Sequence, residues 1–299
     1  MRVSNKMIFD TAQQNLFNLT EELNRANEVV AAQKKILRLS DDPIGLTQVL
    51  SMKSSLSNIR QMERNISLGK NWLTASESAQ TQIQNIISDT KALCVQMASG
   101  NVGSSERFSS AEIVENNLKE IVALANTEVN DRYIFAGSNT DVEAFTIDGN
   151  NDVTYNGDNH PFTIKVGKDS SVEIGSDGES VFQPSGAGAP DDLFAVMKGL
   201  VESLRGNDVS GIQTAMTNLD TCFDDISGRI ADVGSKMTRM ETKETVLSEL
   251  DISIRERVSL IEEPEITEAI LELKAKEVAY QAALAATSKV LQLSIVNYM

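Results

Sequence analysis

The sequence predicts a mainly α protein, a long coiled-coil-like helical bundle built from both chain termini, with a small inserted β domain at its tip. Three observations predict it. Apolar residues recur about every 3.5 positions along both ends of the chain. A central stretch drops that period and turns rich in Gly, Asp, Asn and Ser. Helical segments of matching length stand in mirror order on either side of it.

The first helix is expected over 9–37, with a seam of Phe9, Ala12, Leu16, Leu19, Leu23, Ala26, Val30, Gln33 and Leu37. Eight of these nine positions are apolar, and the residues between them are mostly Asn, Gln, Glu, Lys and Arg. At 1.5 Å per residue the rod is about 43 Å long. Each Leu is worth about 1.5–3 kcal/mol when fully buried, so the seam must find a partner. The step Ser40-Asp41-Asp42-Pro43 should end this helix, because the residue before a proline is pushed out of the α region. Asp42 is placed to cap the next helix, with Pro43 in its first turn.

That second helix should run from Pro43 to about Ser99, and a third from about Glu106 to Asn130 with Ile113, Leu118, Ile121, Leu124 and Val129. Between Ser138 and Pro190 short alternating runs (Val153-Thr154-Tyr155, Phe162 to Val166, Val172 to Ile174) read as strands joined by turns such as Asn156-Gly157 and Asp177-Gly178. Asp191-Asp192 can cap a helix over 193–204. A very long helix follows, with Ser210 as its expected cap and a seam from Ile212 to Met240 that slips near Glu244 and resumes through Ile261. Pro264 ends it. The last helix, about 265–297, carries one seam of Ile266, Ile270, Leu273, Tyr280, Leu284 and Leu291, and a second apolar face with Leu271, Ala275, Val278, Ala282, Ala286, Val290 and Leu293. A helix apolar on two faces must be covered on both.

The expected organisation is therefore 1–42 as an N-terminal core helix and 43–137 as the first half of a central helical domain. The inserted β domain is 138–190, the second half of the central domain 191–263, and the C-terminal core helix 264–299. Mirror-ordered lengths suggest that the two terminal segments pair with each other and the next two inward do likewise. The terminal pair then has three apolar faces and only two seams to cover them, which argues for copies packing side by side. The other solution is a fold-back of the terminal helices onto the central bundle of the same chain.

Composition narrows the function. With 27 Lys+Arg against 43 Asp+Glu the net charge is −16, which argues against nucleic acid and anionic membrane surfaces. Aromatic residues make up 5% of the chain, which suits long helices packed through aliphatic side chains. No stretch approaches 18 consecutive apolar residues, and no basic-then-apolar leader is present. Taken alone this describes a soluble cytoplasmic protein, and it leaves open an export route that reads no cleaved signal.

Chemical sites are few. Cys94 and Cys222 fall on helix seams and read as buried small hydrophobes, with a disulfide or a reactive thiol as the alternatives. His160, the single histidine, sits in a turn before Pro161. Asp148, Asn150 and Asp152 match the first three ligand positions of a calcium loop, but Val153 stands where glycine is required and Asn159 where a bidentate Glu is. They read instead as a turn-forming cluster. No catalytic residues, cofactor or metal are expected, and the chain is not read as an enzyme.

Several stretches carry a resemblance. Ser40-Asp41-Asp42-Pro43 with Gly45, Arg132-Tyr133-Ile134-Phe135-Ala136-Gly137, Val153-Thr154-Tyr155-Asn156-Gly157-Asp158, Arg229-Ile230-Ala231-Asp232-Val233-Gly234 and the Ala-rich final helix together resemble the bacterial flagellin superfamily. Within it they are most similar to its hook–filament junction branch. Glu262-Glu263-Pro264-Glu265 departs from the aspartate-rich step common at that place. The resemblance implies an extracellular structural subunit that leaves the cell by flagellar type III export without a cleaved signal peptide. It implies as partners copies of itself in a ring, the hook-side junction protein, flagellin, and an export chaperone on the C-terminal region. Membrane insertion and nucleic acid are not implied. The expected assembly interface is Phe9, Leu16, Leu19, Leu23, Val30 and Leu37 with Ile266, Ile270, Leu273, Tyr280, Leu284, Leu291 and Leu293. A short flagellin, and a secreted effector or adhesin that displays its β domain on a helical stalk, are the other readings.

Overall fold

A computed structural model describes residues 2–167 and 170–296. In chain order the elements are α1 (Arg2–Ala32), α2 (Pro43–Met97), α3 (Ser104–Ala125), β1 (Phe145–Ile147), β2 (Val153–Tyr155), β3 (Thr163–Lys165), β4 (Ser171–Glu173), α4 (Gly178–Phe182), α5 (Leu193–Arg205), α6 (Val209–Glu262) and α7 (Ile266–Val296). The chain divides into two units. One comprises 1–59 and 249–299, and the other 60–248.

In the 60–248 unit four helices share one core. Ile83, Ile87 and Cys94 of α2, Val114, Leu118 and Ile121 of α3, Met197 and Leu200 of α5, and Ile212, Leu219 and Ile226 of α6 are all buried. Within this unit α2 and α6 run antiparallel: Lys70 pairs with Glu244 at 2.9 Å, Gln84 Nε2 donates to Ser227 Oγ at 2.6 Å, and Lys91 pairs with Asp220. α3 joins through Asn117 Nδ2, which donates to Thr90 Oγ1 at 3.0 Å. Arg107 is buried and donates to the carbonyls of Met97 and Ser99, so it caps the C-terminal end of α2, where the helix dipole is negative.

The strand region forms two antiparallel hairpins, with Phe145 opposite Tyr155 in one and Thr163 opposite Glu173 in the other. Its core is shared with helices. Phe145 packs on Phe194 of α5 at 4.8 Å between ring centroids, and Phe135 meets Phe182 of α4 at 5.1 Å. Aromatic pairs at this spacing add to simple burial. Arg229 of α6 donates to the Ser180 carbonyl, which fastens α4. Ile134, Phe135 and Ala136 are buried, and Gly137 follows at φ +69°, where a Cβ would stand 2.1 Å from the Asp158 carbonyl oxygen. Only glycine fits there.

Several boundaries differ from the sequence expectation, each for a local reason. α1 ends at Ala32 rather than near Ser40: Gln33 adopts φ +53°, and the Lys34 N–H closes back on the Val29 carbonyl. Asp41 then holds the following loop, its carboxylate accepting from the N–H groups of Leu37 and Arg38. α3 stops at Ala125, because the Asn126 side chain hydrogen-bonds both backbone groups of Phe145 and starts β1, a strand the alternation pattern did not single out. Asn130 and Asp131, both at positive φ, make the two-residue turn that follows. Asp177 caps α4 rather than turning a hairpin. Asp208, not Ser210, caps α6, accepting from the Ser210 N–H. Asp42 and Asp192 cap α2 and α5 as the sequence predicts.

Candidate functional site

The unit formed by 1–59 and 249–299 holds the two terminal helices, and α1 packs against α7. On α1 the buried and part-buried residues are Ala12, Leu16, Leu19, Leu23, Ala26 and Val30 of the expected seam, with Thr20 and Val29 beside it. On α7 they include Ala269, Leu273, Lys276, Tyr280, Ala283 and Thr287, in steps of four and three, with Glu277 and Ala279 beside them. The pairing therefore uses the α7 face that contains Leu273 and Tyr280. Ile266, Ile270 and Leu284, expected on the same seam, lie exposed on its flank. A 3.5-residue period names an apolar stripe, but on a helix with two stripes it does not say which one a partner covers.

Phe9 and Leu37 are exposed as well, Leu37 because it lies past the end of α1 in the loop. Leu291 and Leu293 lie outside the described side chains. The outward faces of the pair carry large apolar side chains among polar ones. Met7 is 65% exposed and Phe17 67% on α1, and Leu271 is 66% and Val278 64% exposed on α7. Several such side chains on one helix pair are what an interaction surface would bury.

Polar ties that periodicity did not reveal surround the pair. Lys276 donates to Glu22 at 2.6 Å, and this contact raises the Lys276 ammonium above its ordinary value. Arg25 pairs with Asp41 at 2.7 Å. The Asp41 carboxyl is held below the usual aspartate range, first by the N–H of Arg38 and then by that of Leu37, with Arg25 adding to the effect. At the C-terminal end of α6, buried Glu262 receives Lys34 at 2.8 Å and Lys53 at 2.7 Å, while its carbonyl accepts the Lys35 N–H at 2.8 Å. Burial pushes the Glu262 carboxyl up, but the two lysines outweigh it and hold the group below its usual range. The only sequence signal for this cluster was the Glu-Glu-Pro step itself.

The other candidate residues form no chemical centre. Asp148 Oδ1 accepts from the N–H groups of Asn150 and Asp152, an Asx turn closing the β1–β2 hairpin, and these bonds lower its carboxyl. His160 is exposed. Cys94 and Cys222 are buried free thiols, pushed by burial to about 11 and about 12 respectively, with Asp225 adding to the rise at Cys222. Among the described residues no three His, Cys, Asp or Glu side chains converge as metal ligands, and no helix is long and apolar enough to cross a membrane.

Comparison with known proteins places this arrangement. The profile of the bacterial flagellin N-terminal helical region matches residues 3–140, and that of the flagellin C-terminal helical region matches 214–299. Flagellar hook-associated protein 3 of Escherichia coli is 21% identical over 94% of this chain and 96% of its own, and that of Salmonella typhimurium is 21% identical over 94% of each. A Listeria monocytogenes flagellin, 26% identical, covers 42% of this chain and 44% of its own. Among solved structures, Bacillus cereus FlgL overlays 70% of this chain and 99% of its own at a TM-score of 0.59 and 26% identity. A hook-associated protein structure from Vibrio parahaemolyticus shares the fold at a TM-score of 0.67 and 15% identity, over 74% of this chain and 99% of its own. The chain thus belongs to the bacterial flagellin family, and its likeness to flagellar hook-associated protein 3 runs nearly from end to end.

Proposed function

We propose that this chain is a structural subunit of the bacterial flagellum that forms the junction between hook and filament. The observation that carries the reading is the paired α1 and α7 with Met7, Phe17, Leu271 and Val278 turned to solvent, in a chain similar along its length to hook-associated protein 3. Copies arranged in a ring bury those faces. The functional division follows the helices: 1–42 and 264–299 act as core helices, while 43–137 and 191–263 form the body that carries the strand insert 138–190. The hook-side junction protein lies on one side of the ring and flagellin on the other. Before export through the flagellar type III channel a chaperone holds the C-terminal region, one of whose apolar stripes α1 leaves uncovered.

The assembly residues within this reading are Phe9, Leu16, Leu19, Leu23, Val30, Leu37, Ile266, Ile270, Leu273, Tyr280, Leu284, Leu291 and Leu293. The experiment is complementation of a non-motile mutant that lacks its own junction subunit. Restored attachment of filaments to hooks is the expected result. Filaments that stay detached while purified subunit polymerises alone into long filaments would instead identify a flagellin. Partner binding that survives deletion of 264–299 would identify a stalk-borne binding domain.

A further inference from the structure

A periodic seam does not choose its own register. Leu16, Leu19, Leu23, Ala26 and Val30 repeat along α1, and Ala269, Leu273, Lys276, Tyr280 and Ala283 repeat along α7. Sliding one helix by seven residues, about 10.5 Å, again sets one stripe against the other. Something without a period has to select the observed alignment. The Lys276–Glu22 pair is partly exposed on both sides and contributes little.

Glu262 is different in kind. It is buried, it is the last residue of α6, and it stands four residues before α7 begins. Its carboxylate holds Lys34 from the loop that leaves α1 and Lys53 from α2. Its carbonyl accepts the Lys35 N–H, while the Lys35 ammonium donates to the Leu260 carbonyl at 2.9 Å. Neither terminal helix can advance by a heptad without pulling one of these groups away. A charge withdrawn from water is tolerated only while its partners are in place. Thirteen residues before Lys35 lies Glu22, and fourteen after Glu262 lies Lys276; these two meet at 2.6 Å. The alignment set at the foot is the one the seam adopts.

We propose that Glu262 is the positioning residue that fixes the register of α1 against α7, through a buried carboxylate that a single alignment satisfies. A buried polar group specifying helix register has precedent in coiled coils. The claim concerns the chain itself and does not depend on the assembly that the chain enters.

Cysteine pairs test it in the full-length protein. Ala26 and Ala269 line the same groove between α1 and α7, so A26C/A269C reports the observed register. L19C/A269C reports a slip of one heptad. Native Cys94 and Cys222 are buried, and the unsubstituted chain serves as the background control. With Glu262 present, mild oxidation should close A26C/A269C and leave L19C/A269C open. Glu262→Lys should lower the first product at least fivefold and raise the second. Adding Lys34→Glu and Lys53→Glu should restore the original pattern. A ratio of the two products that stays unchanged would overturn the proposal. So would loss of the first product with no gain in the second, which is what a purely stabilising role predicts. Should Glu262→Lys lose far-UV helicity, Glu262→Gln decides: a shift toward the slipped product supports the register role, and an unshifted ratio overturns it. Failure of the complementation experiment with an intact cross-linking pattern would separate the two conclusions.

Discussion

Replacing Arg107 by methionine should cost the 60–248 unit about 3–5 kcal/mol, because the residue is 5% exposed and no side chain substitutes for its guanidinium. Nε donates to the Met97 carbonyl at 2.9 Å, Nη2 to the Ser99 carbonyl at 3.1 Å, and Nη1 to Asn207 Oδ1 at 2.5 Å. Net contributions of hydrogen bonds to a charged group run to about 1.5–3 kcal/mol each. The Ser99 residue is exposed, so water replaces that bond and it counts for little. The Met97 and Asn207 bonds remain, offset by the gain from burying a methionine stem. The assay is urea unfolding followed by the emission of Trp72, the only tryptophan, which lies in this unit and is buried. For a unit of 189 residues, an m-value of about 2–3 kcal/mol/M translates the loss into a midpoint lower by about 1–2.5 M. Arg107→Lys, with one ammonium for three acceptors, should fall between. Lys119→Met, which breaks an exposed ion pair with Glu115, should stay within about 0.5 kcal/mol. An Arg107→Met midpoint within about 0.3 M of wild type, at unchanged m, would refute the argument that this side chain closes the end of α2.

Gly137→Ala, which sets a Cβ against the Asp158 carbonyl at φ +69°, should destabilise the same unit by about 2–4 kcal/mol; a loss under about 1 kcal/mol in the same urea experiment would contradict the close approach. Leu19→Asp should disrupt the α1–α7 pairing of the isolated chain and its assembly together, whereas exposed Leu284→Asp should leave helicity intact and abolish assembly alone, as read by circular dichroism and sedimentation. Maleimide at pH 7.5 should leave Cys94 and Cys222 unlabelled until urea opens the core, since their thiols lie at about 11 and about 12; labelling of the folded chain by mass would show the burial to be wrong. The Asp41 carboxyl is lowered in the folded loop, so its contribution is present above its ordinary pKa near 3.8 and is lost as pH falls through the lower folded value. Protection of the Leu37 and Arg38 amides, measured against their intrinsic exchange rates, should therefore be lost only at acid pH, and Asp41→Asn should remove that pH dependence.

Much of the fold was legible because local chemistry and tertiary structure agree. Asp42-Pro43 starts α2, Asp192 caps α5, Pro264 separates α6 from α7, and Asp148 makes the turn that its spacing suggests. The failures fall where a distant residue decides. Gln33 carries no helix-stop signal, and the turn it makes is held from the other end of the sequence by Glu262. Asn126 reads as a helix residue until Phe145 arrives to be bonded. Asp177-Gly178 is a hairpin dipeptide that here begins a helical turn under Phe145 and Phe135. At the candidate interface the α1 stripe was readable, because α1 has one dominant stripe. The choice between Ile266, Ile270 and Leu284 on one side and Ala269, Lys276 and Ala283 on the other was not, because small and amphipathic side chains take the covered positions.

The halves of the terminal unit, 1–59 and 249–299, are separated by 189 residues. Closing an unstructured loop of that length costs about 4–5 kcal/mol in chain entropy, before any contact returns it. The intervening segment is contiguous and has its own core, and the Lys70–Glu244 pair brings its two ends alongside each other. Folding is thereby ordered in time: the middle closes first, and the ends then find each other across a gap already shortened. On a chain that emerges directionally, whether from a ribosome or through a pore, the seam that is made first waits longest for its partner. Over that interval Leu16, Leu19 and Leu23 stay open to whatever protein can hold them or cut beside them.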